Sequence, residues 1–286
     1  MDFGRVITAM VTPLNEQLEI DWDQVGPLVD YLIDEQGSEG LVVCGTTGES
    51  PTLTDEEKLK MIEAVVKHAN GRCKVIAGTG SNNTNHTIEL SREAAKLGVD
   101  AILLVAPYYN KPSQEGLYQH FKAVAEAVDV PIILYNVPGR SIVNIDADTT
   151  IRLSRVPNIV ATKDCSGTDQ LTIVAAGAAE GFTVYSGDDS MTLPALAVGC
   201  HGIISVASHV VGKEMQELVE AYTSGDVKRA AQLNAKLLPV FTGLFCAPSP
   251  APVKYALNLK GVNTGSVRLP LVDLSEQEQA FVASLF

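Results

Sequence analysis

Short apolar segments recur along the first two thirds of the chain. Each is rich in β-branched or other apolar residues and lacks the strict alternation of a half-exposed strand. This pattern is typical of strands buried on both faces of a parallel sheet. The eight segments are RVITAMV from Arg5, GLVVCG from Gly40, KVIAG from Lys74, AILLVAP from Ala101, PIILYNV from Pro131, IVATK from Ile159, TVYSG from Thr183 and GIISVA from Gly202.

Helical patterns lie between these segments. After the second segment, Thr54 is followed three residues later by Glu57, which indicates a capping box at a helix start. Leu59, Ile62 and Val66 then repeat at helical spacing. Strand and helix alternating eight times predict an α/β protein whose parallel strands close into a (β/α)8 TIM barrel. A doubly wound open sheet is the competing interpretation, although such sheets usually have fewer strands.

The pattern changes near residue 221, after which no strand-like segment follows. DVKRAAQLNAKLLPVFTGLF predicts one amphipathic helix, and the proline-rich segment 247–252 predicts a turn. Two shorter helices are predicted around Val253–Leu259 and near Ser275–Leu285. We therefore predict a barrel domain over residues 1–224 and a small C-terminal helical appendage over residues 225–286.

Charge and cysteine content exclude several classes of partner. The 286-residue chain has a formal net charge of −13, which argues against a nucleic-acid partner. We expect no membrane partner, because no apolar run approaches the length of a bilayer and no secretory signal precedes the first segment. The five cysteines are scattered, so we expect reduced thiols and a cytoplasmic protein.

Metal and dinucleotide chemistry also lack their sequence signatures. The five histidines form no H-x-H or H-x-x-x-H pair, and zinc chemistry needs a cluster of ligands. No G-x-G-x-x-G follows a predicted strand. We therefore predict no metal and no external cofactor.

Lys163 is the most informative candidate for catalysis. The active site of a barrel lies at the carboxyl ends of its strands, and Lys163 stands near the end of the sixth apolar segment. Burial disfavours the charged ammonium, and a neutral lysine amine attacks carbonyl carbon to form a Schiff base. The alternative is a strand lysine that pairs with Asp164 or reaches solvent.

Other polar residues fall at predicted strand ends. The turn GTTGES offers backbone N–H groups and the hydroxyls of Thr46 and Thr47, which suit a carboxylate, although an ordinary capped turn is the alternative. Tyr109 and Tyr135 could pass protons during imine formation. For Tyr108 we favour aromatic packing at the rim. Arg140 follows a Pro-Gly turn, and its guanidinium suits a carboxylate unless it is simply solvated.

These motifs together resemble a known family. GTTGES, IAGTGSN, PYYNKP, YNVPGR and the lysine of ATKDCSG are similar to signatures of the dihydrodipicolinate synthase family of pyruvate-dependent class I lyases. The resemblance extends to SGDD, GIISV, PSPAPVKY and VRLPL and so covers nearly the whole chain. It implies the condensation of pyruvate with L-aspartate 4-semialdehyde, in the pathway to diaminopimelate and lysine, without an external cofactor.

The resemblance also implies roles for individual residues. Lys163 would form the Schiff base with pyruvate, and Tyr135, Thr46 and Tyr109 would form a proton relay. The family supplies the Tyr109 equivalent from a neighbouring subunit, which implies a dimer or a dimer of dimers.

The substrate-binding residues follow in the same way. Thr47 would bind the pyruvate carboxylate, and Arg140 would hold the carboxylate of the semialdehyde. Gly187 and Ile204 match main-chain positions close to the bound substrate.

Some members of the family are inhibited by L-lysine in a pocket at the dimer interface. Ser50, Asn82 and Tyr108 match the pattern of that possible allosteric site. Three other positions differ, because Asp55, Lys58 and His86 stand where inhibited enzymes carry His, His and Glu. Losing the glutamate and gaining a cation disfavour a ligand ammonium, so we expect weak or absent inhibition.

Two other functions remain open. One is a different pyruvate-dependent aldolase that acts on a sugar acid, against which Arg140 argues, since the resemblance implies that neuraminate lyases lack it. The other is a non-catalytic, pyruvate-binding barrel. The presence of Lys163, Tyr109 and Tyr135 together argues against it.

Overall fold

The computed structural model describes residues 1–286 and contains a closed barrel of eight parallel strands in sequential order. The first strand pairs with the second and with the eighth, so no edge is left open. The predicted (β/α)8 TIM barrel is confirmed, and the open-sheet alternative is wrong. The strands are β1 Val6–Ala9, β2 Gly40–Val43, β3 Lys74–Gly78, β4 Ala101–Val105, β5 Ile132–Asn136, β6 Ile159–Asp164, β7 Thr183–Ser186 and β8 Gly202–Ser205.

The barrel interior is filled by side chains that alternate inward along each strand. A cluster of 13 buried apolar residues occupies it, including Ile7, Val42, Ile133 and Ile204. Tyr185 is fully buried there, and its hydroxyl donates to the carbonyl of Gly4 at 3.1 Å. Because this filling closes the lower part of the barrel, a ligand can enter only from the end at which the strands terminate.

Helices cover the outside of the barrel and share a second, larger apolar cluster of 59 buried residues. The predicted capping box is confirmed, since Thr54 Oγ1 accepts from Glu57 N at 3.1 Å and Glu57 Oε2 accepts from Thr54 N at 2.8 Å. The barrel helices are α1 Trp22–Asp30, α2 Asp55–Ala69, α3 Thr84–Ala95, α4 Gln114–Ala125, α5 Pro138–Ser141, α6 Ala147–Leu153, α7 Thr168–Gly177, α8 Thr192–Ala197 and α9 Ser208–Thr223.

Three further helices follow the barrel, namely α10 Val227–Gly243, α11 Ala251–Leu259 and α12 Glu276–Ala283. The predicted C-terminal helices are therefore present. Leu233 and Leu237 of α10 belong to the same apolar cluster as the barrel helices, so apolar contact continues across residue 224. The division into two domains stays a prediction. No helix is both long and apolar enough to traverse a membrane.

We expect His209 of α9 to weaken the fold in acid. Its Nε2 accepts from Val11 N at 3.1 Å and its Nδ1 lies 2.8 Å from the carbonyl of Val206, so the buried ring is the neutral Nδ1–H tautomer. Burial lowers the pKa of His209 to about 4. In the unfolded chain the imidazole protonates near pH 6.5. The stabilisation that the neutral ring gives the fold is therefore fully present above pH 6.5 and is lost as the pH falls towards 4.

We expect the free energy of unfolding to fall by about 3 kcal/mol at pH 4, because a pKa shift is worth on the order of 1.4 kcal/mol per unit. Urea unfolding at pH 7 and at pH 4 measures it in the wild type and in His209→Gln, which can donate and accept without titrating. A smaller loss in the variant is expected. Equal losses would show that His209 does not control the acid transition.

Candidate active site

A cavity of about 450 Å³ opens at the carboxyl ends of β2–β5. Two sets of residues that the sequence analysis kept apart line this one cavity. The residues predicted to be catalytic or substrate-binding are Thr46, Tyr135 and Arg140, and those predicted to form the lysine pocket are Ser50, Asn82 and Tyr108. The two predicted sites are therefore continuous in this chain.

Lys163 lies directly beside the cavity wall formed by Tyr135. The two residues are register partners on β6 and β5, and the Lys163 amine is 4.5 Å from the centre of the Tyr135 ring. Both are buried, with exposed fractions of 6% and 5%. The lysine ion pairs of the structure belong to Lys58, Lys67, Lys74, Lys96, Lys122 and Lys254, and Lys163 forms none.

Asp164 does not pair with Lys163, because it points to the opposite face of β6. It is fully buried, and its carboxylate accepts from Ser166 N at 2.7 Å and from Gln170 Nε2 at 2.9 Å. It also accepts from Asn136 Nδ2, at 3.2 Å. Since Asn136 and Asp164 immediately follow Tyr135 and Lys163, these bonds fix the two strand ends relative to each other. This network was not predicted from the sequence, although Asn136 and Asp164, two polar residues at the ends of apolar strands, were its signal.

Gly187 packs against the Lys163 side chain. A Cβ added at Gly187 would lie 2.8 Å from Lys163 Cε and would also meet the sulfur of Cys165. The backbone N–H of Gly187 donates to the carbonyl of Asp164 at 3.0 Å, which holds this close approach in place. Ile204 is fully buried in the barrel interior, in the same apolar cluster as Tyr135.

The nearby thiols are not nucleophiles. Burial raises the pKa of Cys165 to about 11, although the charge of Lys163 acts in the opposite direction. Burial also raises the pKa of Cys44, to about 12. Both therefore stay protonated near neutral pH, so neither thiol is available as a thiolate nucleophile.

The GTTGES turn is folded tightly at the end of β2. The N–H of Glu49 donates to the carbonyl of Thr46 at 3.1 Å, and Thr12 Oγ1 donates to the carbonyl of Gly48 at 2.7 Å. Thr46 lines the cavity, whereas Thr47 is buried just outside its lining. The turn therefore places Thr46 at the cavity and buries its neighbour Thr47.

Tyr109 does not line the cavity of its own chain. Its backbone is left-handed, with φ of 72°, and its side chain is 90% exposed. Two hydrogen bonds fix the loop around it, because Asn82 Nδ2 donates to the carbonyl of Tyr108 at 3.1 Å and Asn110 Nδ2 donates to the carbonyl of Asn82 at 2.8 Å. A rigid loop therefore presents this tyrosine away from the chain.

A charged cluster occupies the outer wall of the cavity. Asp55 Oδ1 is 3.3 Å from Lys58 Nζ, and Asp55 Oδ2 is 2.6 Å from His86 Nε2. Burial alone would raise the pKa of Asp55, but the hydrogen bonds from His86 and Lys58 outweigh it and lower the pKa. The one carboxylate of this wall is therefore already shared by two partners.

Comparison with known proteins identifies the family. Residues 2–286 match the Dihydrodipicolinate synthetase family. The chain belongs to the dihydrodipicolinate synthetase family. It is 57% identical over 281 residues to 4-hydroxy-tetrahydrodipicolinate synthase of Listeria innocua, covering 97% of this chain and 96% of the relative. Like these relatives, it is a lyase of diaminopimelate and lysine biosynthesis.

Solved structures of the dihydrodipicolinate synthetase family have the same fold. Dihydrodipicolinate synthase from Bacillus anthracis is 55% identical, with a TM-score of 0.98 over 100% of this chain and 98% of the other. The enzyme from Acinetobacter baumannii, solved in complex with pyruvate, is 42% identical, with a TM-score of 0.96 over 99% and 98%. The barrel described above is therefore the barrel of this family.

We predict that Gly187→Ala lowers the rate of the family reaction by on the order of 100-fold, because a displacement of about 1 Å in a reacting group can cost that much. The added carbon would push against Lys163 Cε. The control is Gly139→Ala, whose added carbon meets nothing within 4 Å. Steady-state kinetics and thermal melting measure both variants. An unchanged kcat in a folded Gly187→Ala variant would contradict the prediction.

Proposed function

We propose that this protein condenses pyruvate with L-aspartate 4-semialdehyde through a Schiff base on Lys163. The observation that carries the proposal is the buried amine of Lys163, 4.5 Å from the Tyr135 ring and without an ion-pair partner. An amine in this setting is suited to attack a carbonyl carbon. The family relationship to an enzyme solved in complex with pyruvate supports the choice of the first substrate.

The first half of the reaction forms an enamine. The neutral amine of Lys163 adds to the ketone carbon of pyruvate, and water leaves to give a protonated imine. The imine withdraws electrons from the neighbouring methyl group, which loses a proton. The resulting enamine carbon is the nucleophile of the second half. All the chemistry rests on the lysine, so the proposal needs no external cofactor.

Proton transfer in these steps falls to Tyr135, Thr46 and Tyr109. Tyr135 is next to the amine, and Thr46 lines the same cavity. Tyr109 is exposed and points away from its own cavity, so we propose that a second copy of the chain supplies it. The active assembly is then at least a dimer, in which each subunit completes the relay of the other.

The second half joins the two substrates. The enamine carbon attacks the aldehyde of L-aspartate 4-semialdehyde, and the amine of that substrate then adds to the imine carbon. This ring closure breaks the bond to Lys163 and releases its amine. Arg140 lines the cavity and would hold the carboxylate of the semialdehyde through its guanidinium.

The pyruvate carboxylate would bind at the GTTGES turn, at Thr47. The backbone at Gly187 and Ile204 would border the bound substrate. The close approach of Gly187 to Lys163 and the position of Ile204 in the barrel interior support this arrangement. Anchoring pyruvate by its carboxylate would leave the ketone facing the amine.

Intact mass after borohydride reduction in the presence of pyruvate tests the proposal. We expect a reduced pyruvate adduct on the wild type and none on Lys163→Ala, because reduction traps only an imine. Lys58→Ala is the matched control, since Lys58 is the other lysine of the cavity and should leave the adduct intact. The absence of an adduct on the wild type would overturn the Schiff-base mechanism.

A second measurement identifies the acceptor substrate. Product formation is compared between L-aspartate 4-semialdehyde and sugar-acid aldehydes, each supplied together with pyruvate.

We predict weak or absent inhibition by L-lysine. The ammonium groups of the ligand would need carboxylates, but Asp55 is already shared by Lys58 and His86. An inhibition curve in the presence of both substrates measures the effect. Half inhibition below 1 mM, which corresponds to a binding free energy of about −4.1 kcal/mol, would contradict it. His86→Glu should increase sensitivity by restoring a free carboxylate.

A further inference from the structure

The C-terminal segment reaches the active-site turn through a buried lysine. Lys254 of α11 is 1% exposed, and its ammonium donates to the carbonyl of Thr12 at 2.9 Å and to Glu49 Oε1 at 3.1 Å. Its third partner is the carbonyl of Ser266. An ammonium has three N–H donors, so Lys254 is fully satisfied. It joins the loop after β1, the turn after β2 and the C-terminal segment at one point.

Glu49 is the member of this cluster that belongs to the GTTGES turn. Its side chain is 2% exposed, and its second oxygen accepts from Arg268 N at 2.8 Å. Its backbone is left-handed, with φ of 57°, a region that non-glycine residues seldom adopt. Such a conformation persists only where the surroundings enforce it. The contacts of its carboxylate to Lys254 and Arg268 are the surroundings that do so.

Arg268 forms a second link between the same two parts of the chain. Its guanidinium donates to Glu57 Oε1 at 2.6 Å and to the carbonyl of Thr52 at 2.8 Å. The hydrogen bonds to Glu57 raise the pKa of Arg268, so this link is charged at any working pH. The C-terminal segment therefore binds the connection between β2 and α2 at Glu49, and again further along the chain at Thr52 and Glu57.

The buried charges are not needed for packing alone. Burial lowers the pKa of Lys254, and the charge of Glu49 opposes that shift. Replacing a buried ion pair by uncharged residues of similar volume often leaves stability unchanged, whereas removing one partner leaves an uncompensated charge. Directional hydrogen bonds from the Lys254–Glu49 pair hold the backbone of the GTTGES turn in one orientation, which an apolar pair would not do.

We propose that Lys254 and Glu49 are positioning residues that hold the Thr46–Thr47 part of the turn in place for the pyruvate carboxylate. The inference rests on the function proposed above. Glu49 lies two residues beyond Thr47, and the carbonyl of Thr46 accepts its N–H. A turn released from Lys254 would bind the carboxylate less well and leave the Lys163 amine unchanged. The C-terminal helices thus contribute to substrate affinity without touching the substrate.

The test is the double variant Glu49→Gln with Lys254→Met, which removes both charges at similar volume. We expect the pyruvate concentration that half saturates adduct trapping to rise about 10-fold or more, and KM for pyruvate to rise with it. At saturating pyruvate, the fraction of the protein trapped as the adduct should match that of the wild type, because the Lys163 amine itself is intact. A role confined to stability would lower the melting temperature and leave the KM unchanged.

Two further variants keep the test decisive. Arg229→Met with Glu217→Gln removes an exposed ion pair between α10 and α9 and should leave the KM unchanged. Glu49→Asp serves if the double variant does not fold, because it keeps the charge opposite Lys254 while the shorter side chain draws the carboxylate back from Lys254 and Arg268 N. A folded variant with a wild-type concentration dependence would overturn the inference and leave the proposed function standing. A wild type that forms no adduct would overturn both.

Discussion

The structure depends on keeping one amine buried without giving it a negative partner. An amine attacks a carbonyl only in its neutral form, and a nearby carboxylate would stabilise the ammonium instead. Lys163 is buried beside the ring of Tyr135 and the backbone of Gly187, and it forms no ion pair. The one adjacent carboxylate, Asp164, is turned to the other face of the strand and bonded to Ser166 and Gln170.

The closed barrel is what makes this environment possible. Residues at positions as distant as 46, 140, 163 and 187 meet because parallel strands in a ring all end at one rim. The lower interior is filled by side chains such as Tyr185 and Ile204, so the amine is approached from one side only. The same cavity is lined by predicted catalytic residues such as Thr46 and Tyr135 and by Lys58 and His86, the two partners of Asp55, because the first turns of α2 and α3 follow directly on the strand ends.

Much of this arrangement could be predicted because its signals are local. Eight apolar segments sufficed for the strands, and strand ends sufficed to bring Lys163, Tyr135 and Arg140 to one rim. What escaped prediction depends on partners far apart in the chain. Glu49 and Lys254 are separated by 205 residues, and the sequence around each residue gives no indication that the other is its partner. The bonds of Asp164 to Asn136 likewise depend on strand register, which no single segment contains.

Two of the buried lysines, Lys163 and Lys254, show how surroundings, more than residue type, determine the chemistry open to a side chain. Lys254 has a carboxylate and two carbonyls around its ammonium, so its charge is held and its three donors are used. Lys163 has an aromatic ring and a glycine around its amine and forms no ion pair. The first arrangement suits a fixed link between segments, and the second suits a nucleophile.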